Sequence, residues 1–212
     1  MRSFFLFYTD CDLNDDDKNR GVREMNETRE NAWQSLRRNV TSEVLLKHCL
    51  ASEIAMRAYA EKFGQDVEYW GSVGLLHDVD FERFPHEHPH HAREILSAEG
   101  YSDAFIFDVE SHCRVWDGDR SLLQKTLLAV DEMTGFIIAC ALVRPDRSLE
   151  HLEVKSVMKK MKDKGFARAV NRETLTQGAA EMGVDFTEHV AFLIQALATA
   201  VKQPEYQEIP LI

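Results

Sequence analysis

From residue 26 onward apolar residues return every three or four positions, and no segment alternates apolar and polar with period two over any length. A 3.6-residue period marks helices with one buried face, so an all-α fold is expected. Asn26 is placed to cap "ETRENAWQSLRRNV", and Thr41 or Ser42 to cap the next segment. There Val44, His48, Ala51, Ala55, Tyr59 and Phe63 follow at three- or four-residue steps, which puts His48 on the buried stripe. Gly64 should end that helix, and Asp66 should cap "VEYWGSVGLLHDV". Pro89 suits the first turn of "HHAREILSAEG", which stops at Gly100. Further helices are expected over Ser102–Val115, Ser121–Val143, Leu149–Lys162, Arg172–Met182 and Thr187–Lys202, the last opened by Asp185 and Glu188 in capping-box spacing.

Residues 1–24 read differently: "FFLFY", then the polar, aperiodic "DCDLNDDDKNR". They are expected to form a loose extension, and residues 25–212 a single helical bundle domain with additional C-terminal helices. Asp10, Asp12 and Asn14 sit at EF-hand spacing, but Asp15 stands where that loop needs Gly and Gly21 where it needs a bidentate Glu. A solvated acidic segment fits better.

The 212 residues suffice for a hydrophobic core. A net charge of −11 argues against a partner that is a nucleic-acid polymer or an anionic membrane, since both are gripped by excess Lys and Arg. No apolar run approaches the ~20 residues of a membrane span. Cys11, Cys49, Cys113 and Cys140 lack CxxC spacing, which fits reduced thiols and a cytoplasmic protein.

Chemistry concentrates in one region. Of 9 histidines, His77, His86, His88, His90 and His91 crowd together. His77 and Asp78 abut at the end of an apolar helix, His48 lies on the preceding one, and His112 closes a later one. Asp131 interrupts "LLAVDEMTGFIIACALV", where a buried carboxylate is costly unless its charge is compensated. Alone, His48 reads more readily as a hydrogen-bonded core residue than as a ligand, and Asp131 as readily as a capped or salt-bridged acid as a ligand. Together, imidazoles and carboxylates suit a divalent Mn, Fe, Co, Ni or Zn, with His48, His88, His112 and Asp131 as candidate partners of the doublet. His86, His90 and His91 read as solvated or supporting residues, and His151 and His189 as surface or packing residues.

His48, the doublet His77-Asp78 and Asp131 resemble the H…HD…D signature of the HD superfamily of metal-dependent phosphohydrolases. "HPHHAREIL", with His88, and "HCRVWDG", with His112, resemble the two histidine additions by which some branches hold a second metal. The doublet is followed by "VDFE" rather than Ile-Gly-Lys, and "DGDR" lacks a Gly-Tyr-Pro ending, so no branch's substrate is implied. "AVDEMTGFIIACALVRP" and "VKSVMKKMKDKGFARAVNRE" look like a stand-alone bacterial subgroup. The resemblance implies an HD-type helical bundle with two divalent ions. Asp78 would bridge them, His48, His77 and Asp131 would complete one coordination sphere, and His88 and His112 would belong to the other. It also implies hydrolysis of a phosphoester of a small phosphorylated molecule, plausibly a nucleotide, by a water that the ions activate. Asp80, Glu82 or Asp117 would orient that water or a ligand imidazole, or else be solvated loop acids. Two other functions of the same ligand set stay open: a diiron oxygenase and a ligand-binding module without turnover.

An anionic substrate must still find positive charge. The dense basic run Lys155, Lys159, Lys160, Lys162, Lys164, Arg168 and Arg172 carries a single acid, Asp163. Substrate phosphate is expected on part of it, with Lys155, Lys160, Lys164 and Arg144 as candidates; the alternative is a solvated basic face.

Overall fold

The computed structural model of the protein describes residues 27–113 and 118–212. Among the described residues the regular structure is helical and no strand occurs. In chain order the helices are α1 (Arg29–Asn39), α2 (Glu43–Phe63), α3 (Val67–Leu76), α4 (Ala92–Ala98), α5 (Asp103–Glu110), α6 (Leu122–Leu142), α7 (Val154–Lys162), α8 (Arg172–Met182) and α9 (Phe186–Ala200), then a 3₁₀ turn at Pro204–Tyr206. The extension assigned to residues 1–24, the cap assigned to Asn26, and Asp117 lie outside the described residues.

Short polar side chains set most helix starts by accepting otherwise unpaired backbone N–H groups. Ser42 accepts from Leu45, Asp66 from Tyr69, Ser102 from Phe105 and Asp185 from Thr187 and Glu188. Thr28 caps α1 by accepting from Asn31. The complete capping box is at Ser121, whose hydroxyl accepts from the Gln124 N–H while the Gln124 side chain accepts from the Ser121 N–H. Gly64 ends α2 with a left-handed φ of 64°.

Several expected boundaries move. Pro89 precedes α4 rather than standing in its first turn, because residues 77–91 form consecutive turns and the helix starts at Ala92. The helix expected from Ser102 stops at Glu110, so His112 lies two residues beyond its end. The segment at Leu149 becomes helical only at Val154; Leu149 and Leu152 are buried from a turn closed by the Leu152 N–H to Leu149 carbonyl bond, which mimics a helical period. Val44 is 79 % exposed, and the buried face of α2 begins at Leu46.

The core is built on α2, which packs against α3, α6 and α9. Gly74 allows the close approach of α3: a Cβ there would stand 2.9 Å from the Ser52 carbonyl oxygen of α2. Glu53 of α2 is fully buried and takes the Arg29 guanidinium from α1 at 2.6 Å and the Tyr206 hydroxyl at 3.3 Å, which ties the C-terminal segment to both helices. Among the described residues no helix is long and apolar enough to cross a membrane.

His189 of α9 is a core residue, as expected. Its Nε2–H donates to the Ala129 carbonyl of α6 at 3.2 Å, which leaves Nδ1 to accept the Tyr59 hydroxyl proton at 2.7 Å. Burial holds its pKa down to about 4. Below about 6.5, its unfolded value, the unfolded chain takes up a proton that the folded one refuses. The folded state therefore carries no penalty above about pH 6.5 and loses up to about 3 kcal/mol as pH falls toward 4. Urea denaturation at a series of pH values should show a shallower acid slope for His189→Gln than for the parent protein.

Candidate metal centre

His77 caps the C-terminus of α3 with backbone angles that are still helical, and Asp78 follows it in the next turn. Four other segments converge on them: α2 brings His48, the turn before α4 brings His88, the turn after α5 brings His112 and α6 brings Asp131. The six residues expected to act together do meet. His48 Nε2 lies 3.0 Å from His77 Nε2, 3.3 Å from Asp78 Oδ2 and 3.1 Å from Asp131 Oδ1. His77 Nε2 lies 3.6 and 3.5 Å from the same two oxygens. On the other side His88 Nε2 is 2.8 Å from His112 Nε2 and 3.1 Å from Asp78 Oδ1, and His112 Nε2 is 3.7 Å from that oxygen. One carboxylate thus turns a different oxygen to each group.

The proton positions follow from the outer partners. His77 Nδ1–H donates to the Gly74 carbonyl at 2.8 Å, and His112 Nδ1–H donates to the Val109 carbonyl at 2.7 Å. His88 Nδ1–H donates to Asp80 Oδ1 at 2.6 Å, and Asp80 Oδ2 accepts the His91 backbone N–H at 3.0 Å. In their neutral forms all three imidazoles therefore aim an Nε2 lone pair at the cluster. Two lone pairs 2.8 Å apart beside a carboxylate oxygen repel one another unless positive charge sits among them.

The titration behaviour says the same. Burial opposes charge on His48, but hydrogen bonds to Asp131 and Asp78 override it and push its pKa up to about 10. His88 rises to about 9, where burial is outweighed by Asp78 and Asp80. Burial and the neighbouring His77 hold His112 down to about 4. Burial would raise both Asp78 and Asp131, yet the adjacent imidazoles hold each well below the usual carboxylate range.

The donor set also fits divalent ions. Ligand atoms about 2.1 Å from a common ion stand about 3.0 Å apart at a right angle and about 3.4 Å apart in a tetrahedron. The spacings of 3.0 to 3.6 Å on the His48 side are of that size. His48, His77 and Asp78 form one group that could hold a metal, and Asp78, His88 and His112 a second. Each ring whose Nδ1 is held by a carbonyl or carboxylate has the outer support usual for a ligating histidine.

A cavity of about 720 Å³ opens onto His48 and Asp78. Lys47 and Glu82 are its charged lining residues besides the cluster, and nothing in the sequence around Lys47 sets it apart. Its pairing with Glu43 at 2.9 Å, one helical turn away, made it an ordinary surface lysine by pattern. Glu82 accepts the Thr41 and Ser42 backbone N–H groups, both at 2.9 Å, so it anchors the entry to α2. Asp80 is fully buried and orients His88, which corrects the picture of a solvated loop acid.

The basic residues expected to hold substrate phosphate lie elsewhere. Arg144 is bidentate to Asp146 at 2.9 and 3.0 Å, Lys155 pairs with Glu153 at 2.8 Å, and Lys160 sits 3.8 Å from Asp163. Lys164 is exposed, and none of the four lines the cavity. α7 buries Val157 and turns its lysines outward, so the charge run follows the solvent face of an amphipathic helix. Arg172 spends its guanidinium on the Ala167 and Val170 carbonyls, both at 2.8 Å. His86 and His90 are exposed, His91 pairs with Glu87 at 2.7 Å, and His151 pairs with Asp146 at 3.0 Å on the surface.

Fold and cluster together define a class: helical proteins whose histidines and aspartates from separate helices form groups able to hold metal ions. The HD domain family matches residues 45–158, more than half of the chain, and the chain belongs to that family. The match spans every histidine and aspartate of the cluster, and it places the protein in a superfamily of metal-dependent phosphohydrolases. No curated protein and no solved structure matches the chain.

Asp80→Asn keeps the size of the side chain but removes the charge that His88 Nδ1–H faces. Titration against a chelating dye should show one class of metal site weakened about 10- to 100-fold, with the helical circular dichroism unchanged.

Proposed function

We propose that the protein hydrolyses a phosphoester of a small phosphorylated molecule at a pair of divalent cations. The observation that carries the reading is the position of Asp78, whose Oδ2 faces His48 and His77 while its Oδ1 faces His88 and His112. Asp131 shares the first group through His48 and His77. Ions held by these six residues supply Lewis-acid activation of a water and neutralise charge on the phosphate oxygens.

The chain's own part is to hold the donors ready. The Gly74 and Val109 carbonyls fix the tautomers of His77 and His112, and Asp80 fixes that of His88. Burial differs across the cluster: the side chains of His77 and His112 are 0 % and 5 % exposed, those of His48 and Asp131 22 % and 20 %. Substrate therefore meets the centre from the side of His48 and Asp131. Lys47 lines that approach and is the cation nearest in sequence to a cluster residue. A nucleotide is one candidate substrate.

The test is elemental analysis of stripped and reloaded protein together with a panel of phosphomonoesters and phosphodiesters. Two ions per chain and phosphate release supported by Mn, Co or Ni are expected. Asp78→Ala should lose metal from both groups and at least about a thousandfold in kcat/KM, since an ion contributes several kcal/mol to such a step. Oxygen consumption with an iron-dependent absorption signal, or tight nucleotide binding without turnover under any metal, would overturn the proposal.

A further inference from the structure

Resting on that reading, we infer that the substrate is a phosphate ester whose organic part is apolar, an alkyl or aryl phosphate, and that the cavity beside His48 and Asp78 holds that apolar part. The evidence is the chemical gradient along one face of α6. Asp131 belongs to the cluster, and Gly135, Ile138 and Leu142 follow at helical spacing and line the cavity outward from it. Val44, one turn before His48 on α2, and Phe81, three residues after Asp78, also line it.

Three of these wall residues are large apolar side chains that the fold leaves in water: Val44 is 79 % exposed, Leu142 43 % and Phe81 41 %. Scattered surface apolar residues need no explanation, but these gather at one opening, and contiguous exposed apolar surface marks a binding groove. Phe81 also packs edge-on against His88, with ring centroids 5.3 Å apart, so the apolar wall begins at the cluster itself.

Charge narrows the occupant further. Of the two charged lining residues outside the cluster, Lys47 already faces Glu43, and Glu82 is negative. A second or third phosphate would enter this cavity against an acid and with one paired lysine to receive it. A single phosphate on the cluster with a carbon body along Ile138, Leu142, Val44 and Phe81 meets neither cost.

Isothermal calorimetry of the metal-loaded protein with alkylphosphonates, which resist hydrolysis, reads the cavity without turnover. Affinity should rise about two- to fourfold per methylene from ethyl toward decyl until the groove is filled. Leu142→Ser should flatten that dependence, weakening decylphosphonate more than ethylphosphonate; because Leu142 is partly exposed, the variant should fold, and circular dichroism checks this. In parallel, kcat/KM for alkyl and aryl phosphates should exceed that for adenosine monophosphate. Equal affinity for ethyl and decyl chains, a dependence that Leu142→Ser leaves intact, or preference for the nucleotide would overturn the inference while leaving phosphoester hydrolysis standing. Absence of turnover of every ester under every metal would instead overturn the hydrolase reading, and the inference about substrate with it, whatever the phosphonate series shows.

Discussion

Acceptors crowded into one buried place are the constraint around which this molecule is arranged. Three imidazoles have their Nδ1 protons committed to the Gly74 and Val109 carbonyls and the Asp80 carboxylate, and so in their neutral forms offer lone pairs inward. Asp78 and Asp131 add negative charge a few ångströms away. Such a cluster is unfavourable as neutral imidazoles and bare carboxylates, and it becomes favourable with positive charge at its centre. Protons on His48 and His88 can supply part of that charge, which is why both pKa values are pushed up while His112, deeper and next to His77, is pushed down. A divalent ion supplies more charge and accepts several lone pairs at once.

Holding the donors against their mutual repulsion requires a stiff frame. Gly74 lets α3 approach the Ser52 carbonyl of α2, and its own carbonyl receives His77, so one residue sets both the helix spacing and the ring orientation. The turns between Asp78 and Ala92 are anchored at two points: Asp80 bonds His88 and the His91 N–H, and Glu82 bonds the start of α2. Farther out, Glu53 with Arg29 and Tyr206, and Asp108 with Tyr69 and Gln124, link neighbouring segments through buried and half-buried polar groups that satisfy one another. None of these networks touches the cluster, yet each joins a helix that carries or supports one of its donors.

Much of this was legible in the sequence because it is written locally. Caps such as Ser42, Asp66 and Ser121 are read from residue type and spacing, and the helical period of α2 and α6 follows from their apolar positions. The six cluster residues were legible for another reason: a buried Asp131 and an adjacent His77-Asp78 pair are costly enough to demand an explanation, and their spacing resembles a known signature. What failed was whatever depends on where the chain turns. Leu149 and Leu152 imitate a helix from within a turn, and Pro89 looks like a first-turn proline until the turns after Asp78 occupy its place. The basic run of α7 is conspicuous because charge is easy to count, but its direction is set by Val157 on the opposite face. Lys47 gives no signal and the exposed Val44 reads as part of a buried stripe, because nothing local distinguishes a residue beside a cavity from one beside water or core.

The unequal exposure of the cluster bears on how any substrate is positioned. His77 and His112 are almost wholly buried and bond the Gly74 and Val109 carbonyls, while His48 and Asp131 are each about a fifth exposed and His48 lines an opening between the first turns of α2 and the second half of α6. On the reading proposed above, a phosphate ester would approach from that side and its organic group would lie along α6, past Gly135, which lines the cavity. Binding energy gained along Ile138 and Leu142 would then be coupled to the angle at which the ester reaches the cluster, because both residues stand on the helix that carries Asp131. A carbon body seated there restricts the orientations of the scissile bond before any bond breaks, the condition under which contacts remote from the reacting atoms contribute to rate as well as to affinity.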